Sequence, residues 1–305
     1  MEERYYSLNR YLREQFGEKV YKLALDAGMT CPNRDGTLGT GGCIFCSAGG
    51  SGDFAQGRCG SIREQLEGAK ARIRNKTDAR KFIAYFQSYT NTYAPVEQLE
   101  KIFTEAMDEP EVVALSIGTR PDCLADDVVA LLEKLNRKKP VWVELGLQTI
   151  HEKTASYIRR GYPLEVYDDA VRRLKAAGIT VITHVILGLP GESRADMLAT
   201  IEYLSGENRP DGIKLQLLHV LRGTDLAKDY AQGLFTTMEM EEYLDILFAC
   251  IQRLSPDVVI HRLTGDGAKR DLIAPLWTAD KKRVINTLRR EMDNQDIRQG
   301  NRYGL

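Results

Sequence analysis

Short runs of β-branched, aliphatic and aromatic residues alternate along this chain with stretches whose apolar positions recur every three or four residues. Residues 20–25, 82–86, 112–117, 141–147, 179–187 and 213–218 have the length and composition of buried strands. Between them the period changes to that of a helix. Ser61-Ile62-Arg63-Glu64 has the form of a capping box, and Ile62, Leu66, Ala69 and Ile73 then mark one helical face. Pro95 suits a helix start, with Val96, Leu99, Phe103 and Ala106 on the buried face, and Val128, Leu131, Leu132 and Leu135 do the same in the next helix. A further helix over 164–177 ends at Gly178, where a left-handed cap is expected.

Strand–helix units in series imply a parallel sheet with right-handed crossovers. The expected fold is α/β, a partial (β/α)6 TIM-like barrel over residues 20–265, with a last strand at 258–262. Residues 1–19 form an N-terminal extension and 266–305 a C-terminal helical extension, with a helix over 281–291 and a tail, 299–305, that has little to order it alone. A doubly wound sheet is the alternative, but the glycine fingerprint it needs after the first strand is replaced by a cysteine loop. In a barrel, the loops leaving strand C-termini build the site, and this loop follows the first strand directly.

With 42 Lys+Arg against 43 Asp+Glu, the chain has no global field to draw it onto a polyanion, so any such site must be local. Two stretches are locally basic: 58–81 carries eight Lys/Arg against three Asp/Glu, and 281–302 seven against three. A solvated helix face or a nucleic-acid footprint would look alike here. No apolar run approaches the ~20 residues that span a bilayer, and the polar start does not read as a signal peptide. A cytoplasmic protein without membrane attachment is expected.

The most specific chemistry lies in Cys31-Pro32-Asn33 and Gly41-Gly42-Cys43-Ile44-Phe45-Cys46. Structural zinc sites take four protein ligands, whereas three thiolates leave a metal position open. A four-iron cluster held by three cysteines has one iron free for a substrate or cosubstrate. The competing reading is zinc, with Cys59 as fourth ligand, in a non-catalytic RNA-binding module. Cys123 and Cys250 stand alone and carry no assigned role.

The cysteine loop, with Phe45 before its last cysteine on a βα-repeat chain, resembles the radical S-adenosylmethionine (SAM) superfamily over about residues 20–265. The spacing from Cys31 to Cys43, wider than in the superfamily's short motif, resembles the branch of the Elongator catalytic subunit. Tyr85-Phe86-Gln87-Ser88-Tyr89-Thr90-Asn91-Thr92-Tyr93, Ser116-Ile117-Gly118-Thr119-Arg120-Pro121-Asp122 and Glu144-Leu145-Gly146-Leu147-Gln148-Thr149 are similar to the YtqA/YhcC-type proteins within it.

The resemblance implies a [4Fe-4S] cluster on Cys31, Cys43 and Cys46, with SAM on the open iron cleaved to methionine and a 5′-deoxyadenosyl radical. It implies that Gln87, Ser88 and Tyr89 meet the SAM amino group, although the usual Gly-Gly-Glu is missing. Glu144 and Gln148 would contact ribose and carboxylate, and Arg160, or Arg159 in its place, would pair with the carboxylate. Gly188, with Pro190 and Gly191, would let the backbone approach adenine. From the residues themselves, Glu144 inside an apolar strand must face a site or an ion pair, because a lone buried carboxylate is costly. Thr119, Arg120 and Asp122 end the third strand and would face SAM or substrate. His184 is a pocket candidate, although a lone histidine on an apolar strand is commonly a core residue. Gln216, His219, His261 and Arg262 are weaker candidates.

The resemblance also points to tRNA, with the wobble uridine modified and its 5-carboxymethylaminomethyl side chain matured to aminomethyl. A reducing donor such as flavodoxin or ferredoxin is implied. A radical enzyme acting on a small metabolite or tetrapyrrole is the alternative.

Overall fold

The computed structural model describes residues 3–50, 60–75, 77–207, 209–265 and 267–304; Arg58, Cys59, Lys76 and Asp266 lie outside the described residues. The strands are β1 (Val20–Leu25), β2 (Lys81–Phe86), β3 (Val112–Thr119), β4 (Val141–Gln148), β5 (Thr180–Leu187), β6 (Gly212–Leu217), β7 (Val220–Leu221), β8 (Val259–Arg262) and β9 (Leu272–Ala274). The helices are α1 (Leu8–Phe16), α2 (Ile62–Ile73), α3 (Val96–Met107), α4 (Asp126–Asn136), α5 (Glu152–Tyr157), α6 (Leu164–Ala176), α7 (Arg194–Leu204), α8 (Asp225–Ala231), α9 (Met240–Arg253) and α10 (Lys281–Asn294).

One parallel sheet runs β1-β2-β3-β4-β5-β6-β8. The expected open α/β barrel is therefore present, as a seven-stranded arc: the strand foreseen at 258–262 pairs with β6 and lengthens the six-stranded count. β7 and β9 form a separate antiparallel pair. The capping box forms as read, Ser61 accepting from Glu64 N–H while Glu64 covers Ser61 N–H. Gly178 takes φ 69°, the left-handed turn that releases the chain from α6 into β5.

The larger core lies between the sheet's outer face and its helices, where Leu99, Phe103, Leu132, Tyr167, Leu174 and Ile201 pack onto the strands. A smaller core closes the barrel's lower end. There Leu12 of α1 packs with Val20, Ile83, Ala114, Trp142 and Ile182, all inward-facing strand residues. The N-terminal segment is thus a plug for the barrel. The tail is ordered by partnership: Arg4 pairs with Asp293 and Asp296, and Gln299 accepts from Tyr6 N–H while donating to Ser255 and Val258 carbonyls. None of the described helices is long and apolar enough to cross a membrane.

Candidate functional site

Side chains alternate across a strand, so every second residue of each sheet strand points into the barrel, and successive inward positions lie about 6–7 Å apart. Above the apolar plug this builds a layer of Lys22, Tyr85, Ser116, Glu144, His184 and Lys214, one from each of β1 to β6. One step higher come Ala24, Gln87, Gly118, Gly146, Ile186 and Gln216, small or uncharged, lining a cavity of about 710 Å³ that opens beside the strand C-termini. Gly118 and Gly146 allow close packing there: a side chain at Gly146 would begin 2.5 Å from the Gln148 amide, and one at Gly118 3.3 Å from the Phe86 carbonyl.

Glu144 is the hub of the charged layer. One oxygen accepts from Lys22 Nζ at 2.7 Å and Ser116 Oγ at 2.6 Å; the other accepts from His184 Nε2 at 2.7 Å and from Lys214 Nζ. Burial opposes ionisation, but the two ammoniums and the His184 hydrogen bond outweigh it and hold the carboxyl well below its usual range. Lys214, enclosed and facing Lys22 and Arg262 as well as Glu144, is pushed down to about 7 by desolvation. His184 is lowered to about 4, chiefly by burial, and stays neutral at pH 7. Tyr85 donates its ring to both lysines, at 5.0 Å from Lys22 Nζ and 4.6 Å from Lys214 Nζ, and its hydroxyl lies 3.0 Å from Lys214 Nζ.

At the cavity's upper wall sit Cys31, Cys43 and Cys46, none of them in a disulfide and all lining the same space. Backbone turns shape their loop: Arg34 and Asp35 N–H both bond Cys31 C=O, and Cys46 N–H bonds Cys43 C=O. Asn33 Nδ2 donates to Cys43 Sγ at 3.5 Å and to the Arg159 carbonyl at 2.7 Å. Ile44 anchors the loop in an apolar cluster with Ile158, Leu189 and Leu226. Burial, followed by the neighbouring Cys46, raises the Cys43 thiol to about 11, so its thiolate needs cationic compensation. Among the described residues no three His, Cys, Asp or Glu side chains gather as a single metal ion requires. Three reduced thiols lining one cavity, with an amide donor on one sulfur, fit the larger iron–sulfur cluster.

Three non-glycine residues at the strand-end loops adopt left-handed backbone: Tyr89 at φ 59°, Gln148 at 66° and Arg159 at 56°. Such strain persists where surroundings impose it, and two of these residues line the cavity. Tyr89 is held by its hydroxyl on the Ala48 carbonyl at 2.6 Å and by Arg34 over its ring.

The structure brings Gln87, Tyr89, Thr119, Gln148 and His184 to the same cavity as the cysteines. Ser88, Asp122 and Gly188 are not among the residues lining it. Ser88 is buried, with a hydroxyl that has no hydrogen-bond partner among the described residues, and Asp122 grips Arg120 by two bonds of 2.9 and 2.7 Å. Gly188 N–H points to Met197 Sδ at 3.2 Å. Glu144 and Arg160 border the cavity, but their polar atoms are spoken for. All four directions of the carboxylate are met from within the charged layer. Arg160, 1% exposed, donates to the carbonyls of Tyr162, Leu147 and Thr149 and to Glu152, which makes it a brace for the loop after β4 rather than an open carboxylate fork. Arg159 is drawn away to Asp225 at 2.6 Å. Lys22, Tyr85, Ser116 and Lys214 were not singled out from sequence. The signal was there for the lysines, a lone charge inside an apolar strand, the same that drew attention to Glu144.

Two family models match the chain: the radical SAM superfamily over residues 35–204 and the radical SAM C-terminal domain over 210–294. The chain is 44% identical to YtqA of Bacillus subtilis over 98% of its own length and 92% of that protein's. It is 26% identical to the tRNA uridine(34) acetyltransferase of Methanocaldococcus jannaschii, covering 77% of this chain and 50% of that one. Among solved structures it is similar to Elp3 of Methanocaldococcus infernus lacking residues 1–46, with TM-score 0.71 and 20% identity over 92% of this chain and 64% of that one.

Proposed function

Because the chain belongs to the radical SAM superfamily, we propose that it is a radical SAM enzyme that alters the wobble uridine side chain of tRNA. Cys31, Cys43 and Cys46 would hold a [4Fe-4S] cluster, with the bound cosubstrate SAM completing it at the fourth iron. Given an electron from a donor such as flavodoxin or ferredoxin, that pair supplies a 5′-deoxyadenosyl radical able to take hydrogen from carbon.

The chain's own residues do the rest. Asn33 donates toward the Cys43 sulfur, which favours the thiolate a cluster needs. The strained turns at Tyr89 and Gln148 fix the strand-end loops around the cosubstrate. Gln87, Gln148 and Gln216 bring neutral amides to the cavity wall, suited to ribose hydroxyls and to base edges without adding charge. The apolar plug under Trp142 and Leu12 closes the barrel's lower end and keeps water from entering behind the radical.

One observation carries the substrate class. Among the described residues lining the cavity there are seven Lys/Arg and a single carboxylate, Glu144; with Arg120 and Arg160 paired to Asp122 and Glu152 behind the wall, five cations share the lining with that one carboxylate in a chain whose net charge is −1. A local cationic basin inside a neutral protein suits a polyanionic substrate. Arg72, from the first basic stretch, stands on that wall, so part of the stretch seen in sequence faces the cavity. The tRNA uridine(34) relative supports the same substrate. The specific reaction proposed is conversion of 5-carboxymethylaminomethyl to aminomethyl uridine. Nucleoside analysis of bulk tRNA from a deletion strain tests it: the carboxymethylaminomethyl form should accumulate and the aminomethyl form vanish. An unchanged wobble-uridine profile overturns the proposal.

A further inference from the structure

The charged layer holds more cation than its own carboxylate can balance. Glu144 faces two ammoniums, Lys22 at 2.7 Å and Lys214. A purely structural ion pair needs one partner for Glu144. A second cation, in a layer where the Lys214 side chain is 6% exposed and Glu144 is fully buried, leaves positive charge that burial penalises. Burial accordingly weakens the hold of Lys214 on its proton, with Lys22 adding to the effect.

Depth narrows what could relieve it. The layer lies one inward step, about 6–7 Å, beneath Gln87, Gly146 and Gln216, inside the barrel and below the cysteine loop. A phosphodiester backbone has no slender arm to send that far, whereas an acidic side group on a base has. Gly118 leaves the inward position directly above Ser116 without a side chain, while the position above Glu144 is covered by the Gln148 amide, which must turn aside for such an arm.

We infer that this layer is a carboxylate-binding pocket, in which Lys22 and Lys214 receive an acidic group of the substrate while Glu144 holds the two ammoniums apart and aimed. Glu144 acts through the lysines and is a positioning residue. The pocket selects substrates that carry a terminal carboxylate on a short arm, a class to which the uridine side chain proposed above belongs. The inference rests on reading this cavity as the substrate site, but it can be tested with no tRNA present.

The experiment is equilibrium dialysis of radiolabelled N-acetylglycine against the anaerobically reconstituted full chain. Saturable binding is expected, with N-acetylglycinamide and inorganic phosphate each competing at least tenfold less well than unlabelled N-acetylglycine. A lost charge-assisted contact should weaken binding tenfold or more in both Lys22→Gln and Lys214→Gln. If Lys214→Gln does not fold, Lys22→Gln on the partly exposed edge strand carries the test. Absence of saturable binding, equal competition by the amide or by phosphate, or native affinity in the Lys→Gln variants overturns the pocket. An unaltered tRNA profile in the deletion strain would remove the tRNA reading and leave this result standing.

Discussion

Glu144→Gln is the sharpest probe of the charged layer, because the change keeps the shape and removes only the charge. In the native chain the carboxylate has no exposed surface and accepts from Lys22, Lys214, Ser116 and His184. An amide has one oxygen, so whichever way Gln is turned, its NH2 confronts a lysine, and two ammoniums compete for half the acceptor capacity. Breaking a buried pair by removing one partner costs about 3–5 kcal/mol, against a total stability of about 5–15 kcal/mol for a typical domain. At an m-value of about 3 kcal/mol per molar urea, the unfolding midpoint should fall by about 1–2 M. The companion variant separates charge from packing. Glu144→Leu combined with Lys214→Met removes the buried pair altogether, and Lys22, with 17% of its side chain exposed, can turn toward the cavity. That double variant should recover most of the loss. Urea unfolding of all three proteins at pH 7.5, followed by circular dichroism, is the assay. A midpoint shift under about 0.3 M for Glu144→Gln would mean that the layer is solvated through the cavity, and the argument from desolvation would fail.

Three other outcomes follow from the same geometry. Cys31→Ala, Cys43→Ala and Cys46→Ala should each abolish SAM cleavage and lose iron on anaerobic reconstitution, whereas Cys59→Ala and Cys250→Ala should keep both; a full cluster in any of the first three shows the ligand set to be wrong. Stability should fall as pH drops from about 6.5 to about 4, because His184 is lowered to about 4 in the folded chain and the unfolded chain therefore holds the extra proton across that window. His184→Gln should flatten that slope in urea midpoints measured from pH 7.5 to 4.5, and an unchanged slope would refute the assignment. Gly212→Ala would place a methyl 2.6 Å from His261 Nε2 and 3.2 Å from Ile182, pushing His261 off Trp142, and should cost about 1–3 kcal/mol in the same unfolding assay.

What could be read from the chain and what could not divides along a physical line. The capping box at Ser61, the glycine stop at Gly178 and the apolar strands are local: each is decided by residues within one turn or one strand, and each stands where expected. Arg160 and the N-terminal plug are not local. Whether an arginine offers its fork to a ligand or spends it on Leu147 and Thr149 carbonyls depends on how the chain bends after β4, which the left-handed Gln148 and Arg159 decide. Likewise nothing near Leu12 in sequence says that it closes a barrel against Trp142, since the two meet only after β4 is laid in the sheet.

The charged layer lies between these cases. Lys22, Glu144 and Lys214 are each the lone charge within an apolar strand, at matching inward positions. A buried lone charge must find an opposite one, and three such charges of two signs in one parallel sheet can do so only across the barrel's interior. The existence of a buried cross-barrel cluster was therefore deducible from composition by strand. Its partners were not, because the register that brings His184 level with Lys214, and Lys214 level with Arg262, is fixed by the pairing of whole strands. The same reasoning gives the charge pattern of the site: two lysines share one buried glutamate, and burial answers the surplus by lowering Lys214 to about 7.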